Sequence, residues 1–254
     1  VDIWGEELTG TAGARRYGRN FPLLAKFIGA AQDLSLQVHP DDAQARRLRP
    51  AAAEPGKSEA WLILQAEPGA FIYRGFRSEV TVDQVRAATA DNSLDSLLLR
   101  VPVGPGDVIW NPPGTVHAVG AGLLLYEIQQ PSDITFRLYD FGRRDSSGRL
   151  RELHVDDALA VANLSAAGPA LTSPEPLQAG ETLLVRTPEF VLSRIEPGPS
   201  AQLRTGTATV ELLTALDSPV SLADGSSKLE LPAGTSLVLP AVNREYSLGS
   251  DGPL

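Results

Sequence analysis

The stretch LSLQVHPDD, residues 34–42, sets an amide and an imidazole two positions apart in what reads as a strand. With a period of two, Leu34, Leu36 and Val38 share one face, and Ser35, Gln37 and His39 the other. Pro40 ends the strand, and Asp41 and Asp42 read as the start of a helix. The chain has only three histidines. A second one, His117, follows a tight turn in NPPGTVHAV, where one strand ends and the chain reverses. Glu59, in GKSEAWLIL, opens another strand with Trp61 and Ile63 on its own side. Imidazole nitrogens with carboxylate or amide oxygens suit zinc and related divalent ions. A glutamine carbonyl adds no negative charge and leaves such an ion a stronger Lewis acid. The chain has no cysteine, so thiolate ligands and disulfides are excluded. A lone histidine at a strand end is ordinarily a hydrogen-bonded core or surface group, and a glutamate at a strand start is ordinarily solvated. Spacing alone leaves both readings open for His39, Glu59 and His117.

Charged residues stand close to these motifs. Lys57 lies two positions before Glu59, so both point to one face of an extended segment. Lys26 interrupts the apolar run LLAKFIGA, either as an edge residue with its head in water or as a cation inside a barrel. SDITFR, residues 132–137, sets Asp133, Thr135 and Arg137 on one face of an extended strand, a pattern that also fits a solvated, ion-paired surface. His154, in RELHVDDAL, stands at a helix entrance, where a capping or packing role is expected.

The elements that must position these groups are mostly strands. Glycine (23) and proline (20) punctuate many short apolar runs in a chain of 254 residues, the texture of a mainly β protein. Strands are expected over 23–30, 34–39, 59–66, 70–76, 107–112, 123–130 and 135–141. Helices are expected over 41–49 and 154–164, with a small helical insert over 81–100. SAAGPALTSPEPLQAG, residues 165–180, has linker composition, and strands resume beyond it. The expected division is a metal-binding domain over 1–164, a linker over 165–180 and a smaller β domain over 181–254. GDVIWNPPGTVHAV (106–119) also aligns with GTSLVLPAVNREYSL (234–248), placing Gly106 on Gly234, Pro112 on Pro240 and His117 on Glu245. That alignment predicts two related β-barrel units, of which only the first keeps its histidine. A net charge of −9 argues against nucleic acid and anionic membrane as partners, but not against a small anionic substrate. No apolar run approaches the roughly 18 residues of a membrane span. No signal peptide is visible in VDIWGEELTG, and a reduced cytoplasm is the expected compartment. The chain has no methionine, not even an initiator, so a further N-terminal segment is expected.

Taken together, FPLLAKFIGAAQDLSLQVHPDDAQA, GKSEAWLIL and PPGTVHAVGAGLLLYEIQQPSDITFRLYDFGR resemble the type I phosphomannose isomerases in their short bacterial form. The resemblance runs in order from about residue 19 to residue 160 and continues more weakly beyond. It implies a cupin: a double-stranded β-helix, or jelly-roll, metal domain with a small helical insert and a second, smaller jelly-roll domain. It implies one Zn2+ held by Gln37, His39, Glu59 and His117, all four present here. The implied reaction is aldose–ketose isomerisation of mannose 6-phosphate and fructose 6-phosphate through an enediol. Lys26, Lys57, Asp133 and Arg137 then become pocket groups. Arg137 would orient the sugar or stabilise the enediolate, Asp133 or a lysine would carry the proton, and Ser35 would contact substrate. The partner is a phosphorylated hexose, and a monomer is expected. An iron-dependent cupin oxygenase and a non-catalytic sugar-binding cupin are the alternatives. Family members usually carry a further N-terminal segment with a Trp-Gly-Gly, and often a larger residue where Ala60 stands.

Overall fold

Strands with one apolar and one polar face need partners for the apolar one. The chain supplies them by passing between two sheets. The computed structural model describes residues 3–51, 54–144, 147–178, 180–196, 201–204, 209–224, 227–242 and 245–249. In chain order the elements begin with α1 (Gly5–Tyr17), β1 (Leu24–Ala30), β2 (Leu36–Val38), α2 (Asp42–Leu48), β3 (Glu59–Ala66), β4 (Phe71–Phe76) and α3 (Val82–Ala90). A 3-10 helix (Leu94–Leu97) follows, then β5 (Leu98–Pro102), β6 (Val108–Asn111), β7 (His117–Val119), β8 (Leu123–Gln129), β9 (Phe136–Tyr139) and α4 (Val155–Val161). Further on come β10 (Glu175–Gln178), β11 (Glu181–Arg186), β12 (Val191–Ile195), β13 (Ala201–Arg204) and β14 (Glu211–Thr214). The last are β15 (Val220–Ala223), β16 (Lys228–Leu231), β17 (Ser236–Leu239) and β18 (Glu245–Gly249).

The chain forms two compact units, Leu23–Pro174 with Leu184–Leu192, and Val1–Pro22 with Glu175–Leu183 and Ser193–Leu254. All the metal motifs fall in the former. Residues 1–22 group with the C-terminal strands, whereas the sequence reading sets them at the head of the metal-binding domain.

In the unit that holds the motifs, a four-stranded sheet β1-β8-β3-β6 faces a five-stranded sheet β5-β4-β7-β2-β9, with antiparallel pairing in both. Strands β1 to β9 alternate between the sheets except at β4 and β5, which pair with each other across the helical insert; this is the expected jelly-roll arrangement. The outer face of the five-stranded sheet carries Leu36, Val38, Tyr73, Ala118, Phe136 and Leu138. These pack with Ala45 of α2, Val85 of α3, and Ala158 and Val161 of α4. The inner faces hold a second apolar cluster of Trp61, Ile63, Ile72, Ile109, Val119 and Leu125. This cluster fills one end of the space between the sheets and leaves the other end to polar groups. The apolar side of β2 therefore faces outward, against helices, and its polar side looks into the barrel. That explains a histidine beside a glutamine on one strand face.

Three expectations change. Leu34 packs with the inner cluster and not beside Leu36 and Val38, because it precedes β2 and the regular alternation. The 81–100 insert is helical only to Leu97; Leu98 starts β5, whose pairing with β4 overrides local helix preference. The segment after residue 164 does not hang free: Ala166 bridges Phe76 and Leu171 bridges Ile109. The capping aspartates of α2 divide their work. Asp41 accepts from the Gln44 N–H in a full capping box, while Asp42 accepts from the Gly56 N–H and Gln130 Nε2.

The unit holding the C-terminal strands forms a sheet β13-β18-β15-β16 and the pair β14-β17 around Leu222, Leu239, Tyr246 and Leu248. The two aligned segments share local backbone features. Gly106 and Gly234 both take positive φ, 91° and 77°. β3 pairs Glu59 with Asn111 of β6, and β14 pairs Glu211 with Leu239 of β17. His117 opens β7, and an exposed Glu245 opens β18; residues 243–244 of the alignment lie outside the described residues. No helix among the described residues is long and apolar enough to cross a membrane.

Candidate metal centre

Glu59 is the first residue of β3 and is fully buried, with Lys57 buried just upstream. His39 follows the end of β2. Gly56 lets the approach to β3 lie directly on the end of β2. A Cβ there would sit 2.4 Å from the Asp41 carbonyl carbon and 2.7 Å from the Pro40 oxygen. The next N–H, that of Lys57, donates to the Pro40 carbonyl at 2.9 Å. His117 comes from the facing sheet, paired across β7 and β2 with Gln37.

The side chains converge. His117 Nε2 lies 3.0 Å from Glu59 Oε1, and His39 Nε2 lies 3.5 Å from Glu59 Oε2. Lys57 Nζ is 3.0 Å from Glu59 Oε2 and 3.2 Å from His39 Nε2. Donor atoms of His39, Glu59 and His117 all fall within 4.8 Å of one another. The amide nitrogen of Gln37 lies 3.3 Å from His117 Nε2. Rotated about its last torsion, the same amide presents its carbonyl oxygen. Both imidazoles are oriented from behind: His39 Nδ1 pairs with the Ile134 carbonyl at 3.0 Å, and His117 Nδ1 with the Thr115 carbonyl at 2.8 Å. A proton on each Nδ1 leaves each Nε2 lone pair directed at Glu59. Neither Glu59 oxygen has an aligned hydrogen-bond donor, although cationic and imidazole nitrogens surround it. A buried carboxylate with charge contacts but no aligned donor suits a cation ligand.

Electrostatics agree with that reading. Burial, assisted by Lys57, holds the His39 imidazole well below its ordinary value, so it is neutral near pH 7. Burial pushes Glu59 up, but the adjacent Lys57 cation outweighs it and holds the carboxyl well below its ordinary range. A neutral His39 imidazole and an ionised Glu59 carboxylate belong to a zinc-type donor set.

The other expected residues divide. Lys26 lies on the inner face of β1, with Nζ 3.1 Å from Glu127 Oε1 and 2.7 Å from Gln129 Oε1. Arg137 pairs in register with Gln37; its Nε donates to Ser35 Oγ at 3.3 Å and its Nη1 to the Glu152 carbonyl at 3.0 Å. Asp133 is not brought to the cluster. It is exposed in the loop before β9, which begins only at Phe136, and its N–H donates to Glu54 Oε2. His154 makes no side-chain cap; its Nδ1 accepts the Arg137 N–H at 3.1 Å and so braces β9. Two inner-face residues escaped the sequence reading, Glu127 and Gln129. Glu127 is buried, accepts from Trp61 Nε1 at 3.0 Å, and is pushed up by burial and by the charge of Glu59. The signal was the alternation in LLLYEIQQ, which puts both residues on the face of Leu125.

Comparison with known proteins points the same way. A family model described as phosphomannose isomerase type I, catalytic domain, matches residues 4–60. A mannose-6-phosphate isomerase of Streptococcus mutans is 35% identical over 234 residues, covering 91% of this chain and 72% of that protein. Mannose-6-phosphate isomerase ManA of Bacillus subtilis is 44% identical over 144 residues, 57% of this chain and 45% of that one. A solved mannose 6-phosphate isomerase structure from Bacillus subtilis superposes with a TM-score of 0.83 at 28% identity, covering 93% of this chain and 75% of that chain. A zinc-bound mannose 6-phosphate isomerase structure shares the fold, with a TM-score of 0.74 at 17% identity, over 99% of this chain and 82% of that one.

Proposed function

This chain belongs to the type I phosphomannose isomerase family, and we propose that it interconverts mannose 6-phosphate and fructose 6-phosphate with one zinc ion. The observation that carries the reading is the convergence of His39, Glu59 and His117 donor atoms at the polar end of the barrel, beside a buried lysine. Gln37, His39, Glu59 and His117 would hold the ion. When bound, zinc supplies Lewis-acid stabilisation of negative charge on the substrate oxygens.

The chain's own residues do the rest. Isomerisation moves a proton between C2 and C1 of the open-chain sugar and develops charge on an enediolate oxygen. Lys57, fixed between Glu59 and His39, supplies a buried cation for that charge. Arg137 supplies a second cation on the face of Gln37, steadied by Ser35. Ser35 thus acts on substrate through Arg137. Glu127 lies one row deeper than Glu59, opposite Trp61. Its carboxyl is raised toward the working pH, as proton carriers require, and Lys26 orients it. Asp133, exposed, is the least suited of the expected proton carriers. The oxygenase alternative leaves Arg137 without work, and the simple sugar-binding alternative leaves Lys57 without work.

A coupled assay with mannose 6-phosphate, run with and without a chelator, tests the proposal. Turnover that chelation abolishes and zinc restores is expected. Undiminished turnover in chelator, or none after zinc is restored, would count against it.

A further inference from the structure

Asn111, the last residue of β6, is 1% exposed, yet neither its Oδ1 nor its Nδ2 has a hydrogen-bond partner. Native structures leave few buried amides in that condition, and each calls for a partner. Its place in the sheet is specific. β3 pairs Glu59 with Asn111 on one side and with Gln129 on the other. Directly opposed residues of antiparallel strands share a face, with Cβ atoms roughly 4.5–5.5 Å apart. Gln129, Glu59 and Asn111 therefore form one polar row. Gln129 is saturated: Nε2 donates to the Gln130 and Ser132 carbonyls, and Oε1 accepts from Lys26. Glu59 has cationic and imidazole nitrogens around it but no aligned donor, and Asn111 has no partner at all, so the row holds an unused amide donor opposite an unused carboxylate acceptor. The fold does not require an amide there, because the matching position of the internal repeat, opposite Glu211, is the buried Leu239.

We propose that Asn111 is a positioning residue of the metal centre, whose Nδ2–H donates to the Glu59 carboxylate when that carboxylate serves as a zinc ligand. The inference rests on the metal reading given above. Ligand carboxylates are themselves held by hydrogen bonds, and losing such a partner typically weakens metal binding about 10–100-fold.

The test compares wild type, Asn111→Leu and Asn111→Ser by zinc competition against a chromophoric chelator, by the visible spectrum of the cobalt-substituted protein, and by melting of the metal-free protein. Leucine matches the branching of asparagine, and serine keeps a small donor, so a packing fault in one variant does not decide the result. Asn111→Leu is expected to melt, metal-free, at or above the wild-type temperature, because an unpaired buried amide is replaced by an apolar group. It should bind zinc about 10–100-fold more weakly, with an altered cobalt spectrum, and Asn111→Ser should lie between it and wild type. Zinc affinity unchanged in both variants, with lowered metal-free melting, would make Asn111 a packing residue and overturn the inference. A wild-type protein that takes up no zinc would overturn the metal reading and this inference with it.

Discussion

At the level of single side chains, the centre works by making ordinary groups choose one protonation state and one direction. His39 is neutral because it is buried beside Lys57, and its Nε2 is exposed to the cluster because Nδ1 is engaged by Ile134. This has a consequence for stability. The unfolded chain protonates His39 near its ordinary 6.5, while the folded chain resists protonation until lower pH. Between those two values the unfolded state binds more protons, so stability falls as pH falls through that window. Glu59 acts in the same direction. Its folded value lies below 4.5, so the stability it contributes is present above that pH and is lost as pH falls through the folded value. The metal-free protein should therefore melt at progressively lower temperature from about pH 7.5 to about pH 5.5, and His39→Gln should flatten the upper part of that decline. A flat wild-type profile would contradict the burial of a neutral His39. Arg137 makes a separate prediction. In its proposed role as a cation beside the developing enediolate, and not a ligand, it should matter to turnover more than to binding. Arg137→Ala should lower kcat by roughly a hundredfold or more, about 3–4 kcal/mol, with unchanged zinc content. Near-normal kcat with a raised KM would make Arg137 a binding group and leave the chemical step to Lys57 and Glu127.

Among the elements, the critical joint is the close approach of the Gly56 backbone to the end of β2. It brings His39 and Glu59, twenty positions apart in the chain, to opposite sides of one small space. Gly56→Ala would press a methyl into the Asp41 and Pro40 backbone, which cannot rotate away. The expected cost is about 1–3 kcal/mol of stability, with displacement of Glu59 and loss of bound zinc. Gly29→Ala is the contrast: its added methyl meets nothing within 4 Å, so stability should hold or rise by about 0.4–1 kcal/mol. Equal melting temperatures for the two variants would contradict this joint. The strands were legible as short apolar runs punctuated by glycine and proline, β3 and β8 among them. Helix α1 was not: its apolar residues are sparse, and it is kinked at Gly10, with φ 77°. The burial of Leu36 and Val38 against helices was also illegible, because alternation defines two faces but not which one lines the barrel. The four motif residues set polar groups into apolar strands, but it was the resemblance to the phosphomannose isomerases, not that pattern alone, that made them a ligand set. Glu127 and Asn111 follow the same rule but stand beside no histidine in the sequence.

Over the whole molecule, the two aligned segments carry different chemistries. The unit containing β2, β3 and β7 brings together two histidines and a carboxylate. In the C-terminal copy, Glu245 stands where His117 does, and Glu211, at the place of Glu59, accepts the Tyr246 hydroxyl at 2.5 Å. Burial raises both members of that pair, which favours a neutral hydrogen bond over a metal ligand. One ion per chain is the expected stoichiometry. The most direct test is to titrate zinc into metal-free protein while following mannose 6-phosphate turnover. Activity should rise linearly from near zero and break at one equivalent for wild type, while His117→Ala should show no break. Full activity before zinc is added, a break at two equivalents, or a normal titration of His117→Ala would contradict the account.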